Sequence, residues 1–489
     1  MKRSTKLLVL LLCLAMVGGL FAACGEKKEP TPDSTTTTPA SEEVTTAAPT
    51  PEKTLTFEDF GNREFHVLGR KGRTHYLDSD GTSSDRVEIA AYTRNSYIED
   101  MFNLQFILVD GPTGSSDGAT ASAWITALAA STGEYDVIVP DYWWKVEQRG
   151  ILENLLDLPH NEIETDDEWW YDGWNRNTTI NGKMFTIVGD AAMEVLENIE
   201  MTFVNKQMAA NNGIDIYDDV EAGEWTLEQM QAYGRKVATN LDDKNSAVFG
   251  TLYDQHSVIA QGYAAGLKLI NINENGIPAA NYNDLNNYDI ISLVRSVATD
   301  ELSANYENKT ARAAGNNLKY FREGRALFYN TALYMGKMLK SNNLAFDYGV
   351  VPMPKYNAEQ KDYISTIYGV SFFGIPTSVK DVHCAAVILN AMNWLSNPNG
   401  NLGKKSLTYE YFETVLKNQI ADDETDANMI QMARDNLYVD FAFVYDSNLK
   451  VHSAYTSAAN GSKDLSSQLE TIDESFGENL RTLIGEIYA

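Results

Sequence analysis

From residue 55 onward, short runs of β-branched and aromatic residues alternate with longer segments whose apolar positions recur at helical spacing. That alternation marks βαβ units and an α/β fold built on largely parallel sheets. Phe65-His66-Val67-Leu68 predicts a first strand, 87–101 a helix and 106–109 a second strand. A glycine-rich loop at 111–118 leads into a predicted helix over 119–130, and 135–139 gives a third strand. That strand is wholly apolar at Val137-Ile138-Val139, as a parallel strand covered on both faces should be. A second set follows, with strands at 185–188, 201–204 and 249–253 and helices at 226–240 and 257–267. Beyond residue 381 the pattern is mostly helical, and no internal repeat emerges.

The N-terminus follows another pattern. Lys2, Arg3 and Lys6 precede an apolar run of fourteen residues, 7–20. This is short of the roughly 20 needed to span a bilayer and reads as a signal-peptide core. The run ends in Leu20-Phe21-Ala22-Ala23-Cys24-Gly25, which resembles the lipobox of bacterial lipoproteins, with Phe21 in place of the commoner leucine. The resemblance implies removal of 1–23 and lipidation of Cys24, where two acyl chains suffice for stable anchoring on the outer face of the cell membrane. Cleavage after Ala23 leaving a free thiol is the alternative. Residues 25–53 are rich in Thr, Pro, Glu, Ser and Ala, with Thr35 to Thr38 in succession, and read as a disordered linker.

Charge narrows the partners. The 489 residues carry 39 basic and 68 acidic side chains, a formal charge of −29, which excludes a nucleic-acid partner and electrostatic docking on anionic lipid. Membrane contact is therefore expected through the lipid anchor only. Three cysteines, Cys13, Cys24 and Cys384, are too few and too scattered for a disulfide scaffold or a thiolate metal site.

Three stretches carry a family resemblance. Tyr135-Asp136-Val137-Ile138-Val139-Pro140-Asp141 is followed, after a helix, by Gly150-Ile151-Leu152-Glu153-Asn154-Leu155. Gly182-Lys183-Met184-Phe185-Thr186-Ile187-Val188-Gly189-Asp190 precedes Phe203-Val204-Asn205-Lys206. Phe321-Arg322-Glu323-Gly324-Arg325-Ala326-Leu327-Phe328 runs on to Asp347-Tyr348-Gly349-Val350-Val351-Pro352-Met353-Pro354. In order and spacing these resemble the extracellular solute-binding proteins of ABC importers, in the sugar-binding, maltose-binding-protein-like branch known as family 1. The resemblance spans nearly the whole chain after the leader. It implies the two-lobed type II periplasmic-binding-protein fold, closing by hinge motion on a carbohydrate, most simply an oligosaccharide, for delivery to an ABC permease. It also implies a non-enzymatic monomer without cofactor. Crossovers would fall near 188–191 and 368–374, with a third near 435–440. Lobe 1 would comprise 54–189 and about 370–435, and lobe 2 190–369 and about 436–489.

A sugar offers a C–H face to aromatic rings and hydroxyls to carboxylates and amides. Trp143, Trp144, Trp169, Trp170 and Trp174, with Tyr142 and Tyr171, cluster within 32 residues. Aromatic residues are core more often than not, so the expectation is that at least one of the group meets ligand; Tyr142, Trp143, Trp144 and Trp170 are the candidates. Asp141 directly follows the third strand, where a cleft carboxylate would sit. Asp190, Asn330, Tyr334 and Tyr368 are carried over from the matched segments, with helix capping, solvation or half-burial as their plainer roles. Asp254 and Gln255 follow another strand end.

Other chemistry finds less support. Gly114-Ser115-Ser116-Asp117-Gly118 has nucleophile-elbow spacing, but Gly111-Pro112-Thr113 intervenes after the strand. The six histidines form no i, i+4 pair and no H-E-x-x-H, so no metal site is expected. Asn271 to Gly276 imitates a calcium loop without its leading aspartate, and a turn near Asn275-Gly276 fits better. A cell-anchored glycoside hydrolase, which needs only two suitably spaced carboxylates, stays an alternative, as does a binding protein for a peptide or other non-sugar solute.

Overall fold

The computed structural model describes residues 55–488, apart from 74–75, 114–116, 161, 244, 255, 274–275, 305–316, 341–343 and 421–423. The expected signal peptide, Cys24 and the linker lie outside the described residues, as do Gln255, Asn275 and most of the glycine-rich motif. Among the described residues no helix is long and apolar enough to cross a membrane.

The first sheet forms where the apolar runs place it. Strand β1 (Arg63–Gly69) is followed by helix α1 (Arg86–Phe102), strand β2 (Leu104–Asp110), helix α2 (Asp117–Ala130) and strand β3 (Val137–Val139). The strands pair in parallel in the order β2-β1-β3. Asp85 caps α1 by accepting from the amides of Val87 and Glu88, and Asn103 ends it at φ 46°, devices that satisfy the helix's terminal amides and carbonyls. Two further passes extend the sheet in antiparallel sense: Ile138 bridges Gly374, and Phe373 in turn bridges Ile187.

Between the sheets run helix α3 (Asp172–Thr178) and the single-turn helix α4 (Glu194–Glu197). Strand β4 (Glu200–Asn205), helix α5 (Leu227–Val237), strand β5 (Phe249–Tyr253) and helix α6 (Ser257–Ala264) begin the second unit. A hairpin of β6 (Ile270–Ile272) and β7 (Pro278–Ala280) comes next, then helix α7 (Leu285–Ala298), strand β8 (Ser303–Ala304), strand β9 (Ala326–Ala332), helix α8 (Met335–Lys340) and strand β10 (Tyr348–Pro352). The second sheet has the order β10-β4-β9-β5-β8, antiparallel across β10-β4-β9 and parallel across β9-β5-β8. Gly234 on α5 faces Gly250 on β5 so closely that a Cβ at Gly250 would lie 2.5 Å from the Gly234 Cα. Helix and sheet meet there backbone to backbone.

The chain crosses between the sheets on paired extended segments. Ile199 bridges Ile367, the Glu200 amide donates to the Thr366 carbonyl at 2.9 Å, and the Tyr368 amide donates to the Asn198 carbonyl at 2.9 Å. A third segment lies alongside, with the Tyr438 amide donating to the Ser365 carbonyl at 2.8 Å. Helix α9 (Val382–Ser396) packs on α1 beside the first sheet. Helix α10 (Glu424–Asp435) instead packs on β10 of the second. Its buried Asp426 accepts from the β10 amide of Val350 at 2.9 Å and from Lys206 at 3.1 Å, covering a strand edge that would otherwise expose unpaired amides. Helices α11 (Val451–Ala459) and α12 (Leu465–Tyr488) complete the chain.

Candidate functional site

A cavity of about 550 Å³ opens where the carboxyl ends of strands from both sheets face each other. The first sheet supplies Arg70, immediately after β1, and Asp141, just after β3; the second supplies Tyr334 after β9 and Lys337 and Met338 on α8. The crossing segments close the floor with Glu194, Glu197, Asn198, Tyr368, Gly369 and Val370. Open α/β sheets present their ligands at strand carboxyl ends.

The wall after β3 is shaped by one short turn. Asp141 accepts from the Trp143 amide at 2.9 Å and so caps a single tight turn over Tyr142–Trp144, which Lys145 ends at φ 52°. Successive side chains then point apart. Tyr142 is buried against Trp174 and Phe443, with ring centroids at 6.0 and 5.2 Å, and Trp144 is buried against Trp124 at 5.2 Å. Trp143 is left 45% exposed in the cavity. Lys145 folds beneath it, its ammonium 5.0 Å from the Tyr142 ring centroid and 6.0 Å from that of Trp143, and burial pushes that amine's pKa down.

Polar groups of the cavity are held in place by one another. The Arg70 Nη1 lies 2.8 Å from Asp141 Oδ2, 3.5 Å from Glu194 Oε1 and 3.2 Å from Ser371 Oγ. Buried Glu194 accepts from the Ser371 amide at 3.0 Å and its hydroxyl at 2.6 Å. Across the floor, Lys337 pairs with Glu197 at 2.5 Å, and Asn198 Nδ2 donates to the Gly369 carbonyl at 2.7 Å. Tyr334 and Tyr368, each 37% exposed, add two more rings. Three cations (Arg70, Arg73, Lys337) therefore meet three carboxylates (Asp141, Glu194, Glu197), a locally balanced site in a strongly acidic chain.

Tyr368 rests on a second, smaller feature. Its ring packs 4.4 Å from His256, and below lie Glu200, Tyr263 and His452 around a space of about 20 Å³, room for one water at most. Ser257 donates to Glu200 at 2.8 Å. Burial pushes the Glu200 carboxyl up to about 8 and the His256 imidazole down to about 4.

Of the ten expected site residues, Asp141, Trp143, Tyr334 and Tyr368 line this cavity. The other six lie elsewhere. Tyr142 and Trp144 are the inward residues of the turn. Trp170 is buried and borders a different cavity of about 620 Å³, which Tyr171 and Arg434 also line. Asp190 is buried in an ion pair with Arg434 at 2.7 Å and accepts from Asn397 at 2.6 Å. Asp254 accepts from the Tyr329 and Thr331 hydroxyls, both at 2.6 Å. Asn330 is fully buried and accepts from Thr202 at 2.6 Å. The polar atoms of Asp254 and Asn330 are used by neighbouring strands, and those of Asp190 by the α10 residue Arg434 and by Asn397 after α9. Arg70, Glu194, Glu197, Asn198 and Lys337 were not foreseen; Arg70 alone carried a signal, since it follows a strand as directly as Asp141 does. A third cavity, about 580 Å³ between α3 and the β6–β7 hairpin, collects no exposed aromatic ring.

Two sheets joined by paired crossing strands, with a solute-sized cavity at their facing carboxyl ends, make this the two-lobed type II periplasmic-binding-protein fold. Solved structures align with it over most of their length. A sugar transporter from Rhizobium etli in an open conformation covers 85% of this chain and 99% of its own, at TM-score 0.58 and 14% identity. The sugar-binding protein MalE from Xanthomonas citri covers 88% and 100%, at 0.57 and 12%. UgpB from Mycobacterium tuberculosis, in complex with glycerophosphocholine, covers 87% and 99%, at 0.53 and 15%. Likeness at this identity establishes the fold. No protein-family model matches the sequence, and no curated protein does.

Proposed function

We propose that the protein is a lipid-anchored, extracytoplasmic substrate-binding protein that captures a carbohydrate in the cleft and delivers it to an ABC permease. The observation that carries this reading is the set of three partly exposed rings, Trp143, Tyr334 and Tyr368, set among charge-balanced polar groups. Rings take the C–H faces of a sugar, and the fixed carboxylates, amide and cations take its hydroxyls. Balanced charge favours a neutral solute over an ionic one, and the kinship in fold with sugar-binding proteins agrees. Asp141, Trp143, Tyr334 and Tyr368 are assigned as ligand contacts, with Arg70, Glu197, Asn198 and Lys337 beside them. Ligand that contacts both walls stabilises the closed arrangement, and the permease reads that population shift.

A thermal-shift screen of the purified chain against oligosaccharides, free amino acids and short peptides tests the assignment. Stabilisation by an oligosaccharide without turnover is the expected result. Binding of peptides alone would remove the sugar assignment, and release of reducing ends would make the protein a glycosidase. The anchor is tested separately: Cys24→Ser should move the protein from the membrane fraction to the medium.

A further inference from the structure

At the opposite end of the first sheet from the cleft, Arg63 opens β1 and pairs with Asp381, the residue that caps α9. Two residues on, His383 sits in a group of titratable side chains drawn from three separate stretches of chain. Its Nδ1 is 2.6 Å from Glu162 Oε1, its Nε2 is 2.9 Å from Glu58 Oε1, and its ring centroid is 4.8 Å from that of His160. One donor atom each from His160, Glu162 and His383 falls within 4.8 Å of the others. Glu162 and His383 are 221 positions apart, so no sequence spacing could announce the group.

Hydrogen bonding inside the group leaves one atom without an explanation. The Glu162 side chain is only 5% exposed, and while Oε1 meets His383, Oε2 is buried with no hydrogen-bond partner. A carboxylate oxygen stripped of water and given no donor is costly and uncommon in native proteins. A divalent cation removes this defect by taking the free carboxylate oxygen.

We propose that His160, Glu162 and His383 bind a zinc ion, with Glu58 orienting His383 from behind. Two imidazole nitrogens and a carboxylate oxygen are a zinc donor set, whereas calcium and magnesium take oxygen throughout. Zinc bonds of about 2.0–2.1 Å hold tetrahedral ligands roughly 3.4 Å apart, so the farthest donors must close by about 1.4 Å. His160 is the exposed member of the three. With His383 ligating through Nδ1, its Nε2–H donates to Glu58, the outer contact that fixes a metal-bound histidine's tautomer. The ion would clip His160 and Glu162 to the start of α9, with Glu58, just beyond the linker, held through His383, remote from the ligand cleft.

The test uses the full chain, stripped with chelator, titrated with zinc chloride by calorimetry and assayed for bound metal by mass spectrometry after dialysis. The expected result is one zinc per chain, a raised unfolding temperature, and the absorption of tetrahedral cobalt when Co(II) is substituted. His160→Ala, on an exposed side chain, and Glu162→Gln should each weaken zinc at least about tenfold, and Glu58→Gln by roughly 10–100-fold. Trp143→Ala in the cleft should leave zinc binding unchanged. Absence of saturable zinc binding would overturn the site. So would stoichiometric zinc that survives undiminished in both His160→Ala and Glu162→Gln.

Discussion

Two arginine–aspartate pairs of almost equal length do different things in this molecule. Arg70 and Asp141 meet at 2.8 Å in the cleft with 21% and 14% of their side chains exposed; Arg434 and Asp190 meet at 2.7 Å behind the crossing strands with 14% and 0% exposed. The second pair is completed from inside the fold, by Asn397 and by Tyr171 at 3.4 Å from the guanidinium. The first borders open space beside Trp143. Position at a strand end or a crossover does not make a residue a ligand contact. What separates the two pairs is burial: Asp141 keeps 14% of its side chain exposed in the cleft, and Asp190 keeps none.

The largest effect that can break this contrast is in Arg434→Ala. Removing one member of a buried pair strands the other, so a loss of about 3–5 kcal/mol in urea unfolding is expected, with ligand affinity unchanged in the protein that stays folded. A loss below about 1 kcal/mol would erase the distinction between the pairs. Glu200, under Tyr368, gives the next effect, read through pH. Its folded pKa of about 8 lies above that of the unfolded chain. The folded state thus holds a proton that the unfolded state has released, and stability falls as pH rises toward 8. Half-buried His256 and buried His452, whose values are pushed down, give the opposite slope, but only below about 6.5. Between about pH 6.5 and 8, the stability of Glu200→Gln relative to wild type should therefore rise by about 2 kcal/mol; a constant difference would show that Glu200 is already ionised.

Smaller still are the changes expected within the cleft. Arg70→Ala should cost about 1 kcal/mol of stability, because Glu194 keeps both hydrogen bonds from Ser371, while oligosaccharide affinity falls at least about tenfold. Equal destabilisation by Arg70→Ala and Arg434→Ala would collapse the comparison. Trp143→Ala should leave urea unfolding within about 0.5 kcal/mol, as an exposed side chain does.

Much of the architecture was legible in the sequence because buried parallel strands are largely apolar: Val137-Ile138-Val139 is wholly so, and 249–253 is interrupted only by Thr251. Helix ends were less so: the helix expected over 226–240 runs Leu227–Val237, its N-terminus set by the Thr226 cap. Asp141 was legible as a strand-end carboxylate. Trp143 could not be separated from Trp144, because the sense of a three-residue turn is fixed by a hydrogen bond that composition does not encode. Asp254 and Asn330 lie off the cavity for a related reason. Their partners, Tyr329, Thr331 and Thr202, lie on adjacent strands far away in sequence. The placement of α10 depended on one buried carboxylate, Asp426, reaching a strand edge more than 70 positions earlier.

The most direct test of the central claim is a calorimetric titration of the purified chain and of Trp143→Ala with a series of neutral oligosaccharides, beside a matched peptide series. The expected result is saturable binding of one oligosaccharide per chain, weakened about tenfold or more in the variant, a change of about 1.4 kcal/mol. Oligosaccharide affinity equal in both proteins, or binding confined to the peptide series, would contradict it.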